Sequence, residues 1–223
     1  MTPTELKKHL AANNQSGLGL DIDETLSWTL GYWFEELKKR FGNPENLSTK
    51  KIIAKYRYSK NVPYWQTPAA LEWMEEQRNS NDTQTKLPLI ENANHAVQKI
   101  MLIAPIAAYI TVRPESVVEG TTKWLSKHNF PDLPILARTP DVKHHDGNQW
   151  KAEVLTELYP EINGIIDDNP ELVDKLPSDY PGAVYLYDVL DAPEQTGLDV
   201  IACKTWENVY EAIKLRYTQK NYA

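Results

Sequence analysis

The 223-residue sequence has one cysteine, Cys203. No internal disulfide can form, and a reducing compartment suits such a chain. The simplest role for this thiol is a small apolar filler in a late strand. Long apolar runs are also missing. The longest, residues 100–112, is too short to span a bilayer. Residues 1–15 are polar and helix-like, without the apolar centre of a signal peptide. The expectation is a cytoplasmic protein with no membrane partner. Basic charge is in deficit, with 24 Lys and Arg against 31 Asp and Glu, a formal net charge of −7. That balance argues against bulk binding to nucleic acid, although a local basic patch could still bind it. Internal repeats and low-complexity tracts are absent as well.

The composition that remains, 41% hydrophobic and 25% charged, is that of a globular protein. A chain of this length buries about 70% of its unfolded surface, so it needs no staples. Leu6 and Leu10 on a Lys-rich background predict an amphipathic first helix, and residues 18–23 a buried strand. From residue 28 to about 95 no convincing strand is found. Helices are predicted over 31–41, 48–58, 68–77 and 92–101, separated by Pro and Asn turns and by the polar run 79–86. After that, strands (106–111, 133–137, 164–168, 184–187, 200–202) alternate with helices (114–128, 149–159, 170–176, 206–217). Such alternation predicts an α/β fold with a doubly wound parallel sheet. The division expected is a core of residues 1–27 and 97–223, with a helical insertion at 28–96.

In sheets of this kind ligands bind beyond the carboxyl ends of the strands. The first strand, LGLDIDET, ends in Asp21, Asp23 and Glu24; AAYITVRP ends in Thr111 and Arg113; GIIDDNP ends in Asp167 and Asp168. On a strand, Asp21 and Asp23 would share a face. Clustered carboxylates near a low-dielectric interior are costly unless a cation lies among them. A hard divalent ion such as Mg²⁺, which takes carboxylate and phosphate oxygens, meets that need. Lys151, placed in the first turn of its predicted helix, has the wrong sign for the helix dipole and suits an anion. Thr111 can donate to a phosphoryl oxygen, while one carboxylate attacks phosphorus and another handles the leaving-group proton.

DIDET, AYITVRP, Lys151 and IIDDN, in that order, resemble the four motifs of the haloacid dehalogenase (HAD) superfamily of phosphohydrolases, over about residues 17–205. The helical segment lies where that family inserts its cap. The stretch TVRPESVVEGTTKWLSKHNFP, with WKAEVL and IIDDNP, is also similar to its nucleotidase-like and polynucleotide-phosphatase-like branches. The resemblance implies a Rossmann-like core and a small phosphorylated substrate. It makes Asp21 the nucleophile and Asp23 the general acid, then base, and has Thr111 and Lys151 bind phosphate. It also implies Mg²⁺ held by Asp21, the Asp23 carbonyl and the motif-four aspartates, with Asp168 direct and Asp167 supporting. Glu24 departs from the pattern, since many members have Gly there.

Other residues take plainer expectations. Arg113 either reaches substrate or pairs at the surface with Glu115; Lys143 sits in a loop, which favours Lys151; His144 and His145 are loop neighbours that splay apart. A phospho-acceptor signalling domain has no place for the insertion, and with every expected reactive group present the sequence gives no support to a silent binding protein. Asp23 argues against a dehalogenase, which needs no leaving-group acid, but does not separate a hydrolase from a phosphomutase or a nucleic-acid end phosphatase. Residues 31–60 hold eight Lys and Arg against three Glu. A helix capped by Ser48 would put Lys51 and Lys55 on one face, with Tyr58, Tyr64 and Trp65 nearby. That face is either solvated surface or a steering surface for a phosphorylated aromatic such as a nucleotide.

Overall fold

A computed structural model describes residues 1–193 and 197–220. Helix α1 (Pro3–Ala12) begins with a reciprocal cap. The Thr2 hydroxyl accepts the Glu5 amide, the Glu5 carboxylate accepts the Thr2 amide, and Pro3 occupies the first turn. Leu6 and Leu10, four apart and so on one face, are fully buried. Strand β1 (Gly17–Leu20) follows and ends three residues earlier than the alternation predicts. The chain then turns instead of extending, with the Leu26 and Ser27 amides both donating to the Ile22 carbonyl.

The segment before the next strand is helical: α2 (Thr29–Phe41), α3 (Thr49–Tyr56), α4 (Pro68–Arg78), α5 (Asn81–Gln84) and α6 (Ala93–Met101). Ser48 caps α3, accepting the Lys51 amide at 3.4 Å, and Thr67 caps α4. The polar run 79–86 is not plain punctuation. It contains α5, and the Asn81 side chain accepts the Gly120 amide and donates to the Ser116 carbonyl, so polarity there serves docking. Two cores divide this segment. Phe34, Leu37, Ile52, Val62, Trp65, Ala70 and Met74 form a cluster of their own, with Phe34 and Trp65 edge to face at 5.1 Å. From Leu87 onward, Ala93, Ala96, Val97 and Ile100 pack with Leu18 and Leu20 of the sheet.

Strands β2 (Ile106–Pro114), β3 (Ile135–Arg138), β4 (Ile162–Asp167), β5 (Ala183–Tyr187) and β6 (Asp199–Cys203) complete one sheet among the described residues. Its order is β3-β2-β1-β4-β5-β6 and every pairing is parallel. Helices α6, α7 (Val118–Lys127) and α10 (Trp206–Lys220) cover one face; α1, α8 (Gly147–Leu158) and α9 (Pro170–Val173) cover the other. Along β5 the two faces alternate, Ala183 and Tyr185 toward the first, Val184 and Leu186 toward the second. Cys203 is buried in β6, and burial raises its thiol pKa to about 11, which fits an inert filler. The strand order reverses at β1, whose neighbours β2 and β4 are reached from opposite directions. A crevice at the carboxyl end of β1 is the geometric consequence.

Candidate active site

Three strand ends meet in that crevice. Asp21 follows β1, its amide donating to the Ile166 carbonyl at 2.9 Å. Asp167 closes β4, and Asp168 begins the turn into α9. One carboxylate oxygen from each of Asp21, Asp167 and Asp168 lies within 4.8 Å of the others. The Lys151 ammonium is set between two of them, donating to Asp21 Oδ1 at 2.6 Å and to Asp167 Oδ2 at 2.7 Å. It arrives from α8, which begins two residues earlier than the sequence suggests, so Lys151 lies in the second turn and not the first. The helix can come this close because Gly147 has no side chain; a Cβ there would sit 2.2 Å from Val112 Cγ1.

Charge is unbalanced here. Burial raises the Asp21 pKa to about 7; Lys151 opposes the shift, while Asp167 and Asp23 add to it. Asp168 is raised well above the usual carboxylate range by burial, then by Asp167 and Asp21. Burial works against the Lys151 ammonium, but Asp167 and Asp21 outweigh it and raise its pKa. One ammonium among three carboxylates leaves a negative, all-oxygen donor set. A hard cation such as Mg²⁺ fits that chemistry.

Asp23 goes its own way. It lines the same cavity as Asp21 but has hydrogen-bond partners of its own. Arg113 Nε donates to both Asp23 oxygens at 3.1 and 3.0 Å, and Nη2 to Oδ1 at 2.7 Å. Thr29 and Ser27 donate to Oδ1 at 2.5 and 3.3 Å. Burial pushes the Asp23 pKa up, but the Arg113 charge and these hydrogen bonds outweigh it and hold the carboxyl below its ordinary value. Arg113 is therefore no surface partner for Glu115. It is 5% exposed, and its remaining bonds go to Ser27 and Thr121.

A cavity of about 400 Å³ opens over these groups, lined by Asp21, Asp23, Arg113, Lys151, Asp167 and Asp168. Thr111 is not among its lining residues. It is 1% exposed and its Oγ1 accepts the Arg113 amide at 3.2 Å. The outer wall includes Trp33, Tyr58, Lys60 and Arg78 from the insertion, and His144 and His145 from the loop after β3. The two histidines, expected only as loop residues, are thus wall residues; Lys143 is not. The basic face of α3 is not part of this wall either. Lys55 pairs with Glu45 at 2.7 Å, Trp65 is buried in the insertion core, and neither Lys51 nor Lys55 lines the cavity.

Sequence reasoning missed three hydroxyls and left the part of Glu24 open. Thr25 Oγ1 lies 3.3 Å from Asp21 Oδ2 and 3.5 Å from Asp168 Oδ1, bridging the two strand ends. Ser27 and Thr29 hold Asp23. Their signal was the alternation Thr-x-Ser-x-Thr directly behind the acidic turn. Glu24 has φ +57, a conformation glycine adopts without strain, which accounts for glycine suiting this place. In return its carboxylate accepts the Leu30 amide at the start of α2, where Trp28 offers no side-chain cap. Burial raises its pKa to about 8.

No family model and no curated protein matches the sequence. Solved structures do. A dehalogenase with an intermediate complex superposes with TM-score 0.54 at 13% identity, covering 89% of this chain and 96% of the other. A HAD family hydrolase from Deinococcus radiodurans R1, with bound phosphate and sodium, gives 0.52 at 14% identity over 89% and 95%. A cytosolic 5'-nucleotidase IIIB bound to cytidine gives 0.41 at 13% over 98% and 92%, too distant to argue from. At these identities the likeness is one of architecture. The chain has the Rossmann-like α/β fold seen in solved structures of the haloacid dehalogenase superfamily, with a helical segment after its first strand.

Proposed function

We propose that the protein is a phosphatase that hydrolyses a small phosphate monoester through an aspartyl-phosphate on Asp21, with Mg²⁺ as cofactor and, as its cap, the insertion from residue 28 to about 86, since residues 87–96 of the expected insertion pack on the sheet. The observation that carries this reading is the Asp21, Asp167, Asp168 and Lys151 cluster at the topological switch point. Asp21, Asp168 and the Asp23 main-chain carbonyl would hold the ion, with Asp167 in support. The ion supplies positive charge against the phosphoryl oxygens. The phosphate and sodium bound by the Deinococcus hydrolase of this fold agree with a site for both.

Asp21 attacks phosphorus, and Lys151 keeps its carboxylate aimed and balances charge as the phosphoryl group approaches. Asp23 protonates the leaving oxygen, then as a carboxylate takes a proton from the water that cleaves the acyl phosphate. Arg113, Ser27 and Thr29 orient Asp23 for both steps. Because they favour its ionised form, the base step is matched directly and the acid step depends on prior protonation. Esters of poor leaving groups should therefore be slow and favour acidic pH. Thr111, from the family pattern, and Arg113, from its place at the strand end, are the further phosphate-binding candidates. In this arrangement Arg113 serves Asp23, and Thr111 lies behind the lining. A cavity of about 400 Å³ suits a nucleotide or another small metabolite better than a nucleic-acid end.

The test is phosphate release from phenyl phosphate. Mg²⁺ should be required, and Asp21→Asn should fold, bind and lose about a thousandfold or more in kcat. Wild-type turnover by that variant would remove Asp21 from the mechanism.

A further inference from the structure

The cations closest to the chemistry are engaged, Lys151 by Asp21 and Asp167, Arg113 by Asp23. Beyond Asp23 the wall changes sign. Arg78, the last residue of α4, lines the cavity with its guanidinium carbon 5.8 Å from the centre of the Trp33 ring. Its one carboxylate partner among the described residues, Glu75, is 65% exposed, so solvent screens that pair. Arg138, at the end of β3, is 8% exposed and does not line the cavity. It donates to two neutral carbonyls, Val112 at 3.1 Å and Val142, and among the described residues no carboxylate forms an ion pair with it. His144 lines the cavity too, and its pKa falls to about 4 through burial and then the charges of Arg78 and Arg138, against weaker opposition from Asp23 and Glu75.

A buried guanidinium without an acid is costly, and a second beside it raises the cost. Two arginines close enough to act on each other and on a neutral imidazole become favourable when an anion lies among them. Asp23, the proposed leaving-group acid, acts on His144, which puts this wall where the alcohol portion of an ester would lie, and Leu30 and Trp33 line the same cavity with apolar surface.

We propose that Arg78, with Arg138 and His144 close by, forms a subsite for a second anionic group on the leaving portion of the substrate. The preferred substrate is then a phosphate monoester whose alcohol carries a carboxylate or a second phosphate. This deepens the phosphatase reading and rests on it for the placing of the leaving portion. Arg78 makes the direct contact; Arg138 supplies field from outside the lining; His144, neutral, donates or accepts one hydrogen bond.

The experiment uses probes that bind and are not hydrolysed, so it is read separately from turnover. Benzylphosphonate, 3- and 4-carboxybenzylphosphonate and para-xylylenediphosphonate are titrated calorimetrically into the full chain in Mg²⁺ buffer. At least one probe with a second anionic group should bind about tenfold more tightly than benzylphosphonate, and the better of the carboxylate and phosphonate arms identifies the second anion. Arg78→Gln should bring that ratio to within about twofold of unity, and Arg78→Lys should restore part of it. Lys51→Gln, which removes the same charge outside the cavity, should leave the ratio as in wild type. Equal affinities in wild type, or a preference that survives Arg78→Gln, would overturn the subsite. A protein that keeps the preference yet releases no phosphate from phenyl phosphate would overturn the phosphatase reading alone.

Discussion

The carboxyl edge of the sheet and the outer face of the insertion both carry dense charge, held in opposite ways. At the edge, Lys151 is 3% exposed and its partners Asp21 and Asp167 are 6% and 1%. On the insertion, Lys39, Arg40 and Lys55 stand 52–65% exposed beside Glu36 and Glu45. Exposed pairs contribute little to stability, whereas buried ones cost desolvation that attraction only partly offsets. Charge in the first setting needs a reason, and charge in the second does not. The sequence makes the insertion look the more charged of the two, yet it is the quieter.

The comparison is sharpened most by removing Lys151. Lys151→Met strands two buried carboxylates and should destabilise the metal-free protein by about 3–5 kcal/mol in urea unfolding. A loss below 1 kcal/mol would mean that the pair is effectively solvated.

Asp23→Asn should separate the two chemical steps. With 4-nitrophenyl phosphate, whose leaving group needs no proton, phosphorylation should persist while hydrolysis of the intermediate slows by about a hundredfold or more. Stopped-flow traces should then show a burst followed by a slow steady state. Loss of the burst together with the steady rate would deny Asp23 its second-step role.

In EDTA, the raised pKa values of Asp21 (about 7) and Glu24 (about 8) have a definite sign. Between about pH 4.5 and 8 the folded state holds protons that the unfolded state has released. Stability must therefore fall as pH rises through that window. The melting temperature should drop by about 3 °C or more from pH 5.5 to 8, and the drop should shrink in Asp21→Asn and in Glu24→Gln. Added Mg²⁺ should raise it more at pH 8 than at pH 5.5. A flat profile in EDTA would show that the cluster is not burdened by its own charge.

At the other extreme, Lys55→Gln should leave the melting temperature within about 1 °C of wild type. It should also leave kcat/KM for phenyl phosphate unchanged. A clear effect on either would return the basic face of α3 to the functional surface.

Much of the core was legible because its signals are local and periodic. Leu6 and Leu10 gave α1, and buried runs ending in acids gave β1 and β4, and with them Asp21, Asp167 and Asp168. What was not legible depends on where the chain stops obeying a period. Nothing in LGLDIDET announces that β1 ends at Leu20, so the different partners of Asp21 and Asp23 were hidden, above all the partnership of Asp23 with Arg113. The wall formed by Arg78, His144 and Trp33 joins residues from the insertion and from the loop after β3, which only the tertiary arrangement brings together. The basic stretch, left open between solvated surface and steering surface, divides: Tyr58 and Lys60 line the cavity, Lys51 and Lys55 do not. Its charge is a property of sequence, while which part of it reaches the cavity is a property of packing.

The central claim is that the edge cluster exists to let Asp21 accept a phosphoryl group. The most direct measurement is mass spectrometry of peptides from Asp23→Asn protein quenched in acid during turnover of 4-nitrophenyl phosphate with Mg²⁺. The peptide containing Asp21 should carry one phosphoryl group, removed by hydroxylamine and absent when Asp21→Asn is added. Free phosphate released with Asp21 unmodified at every quench time, or the label found on another residue, would contradict the account.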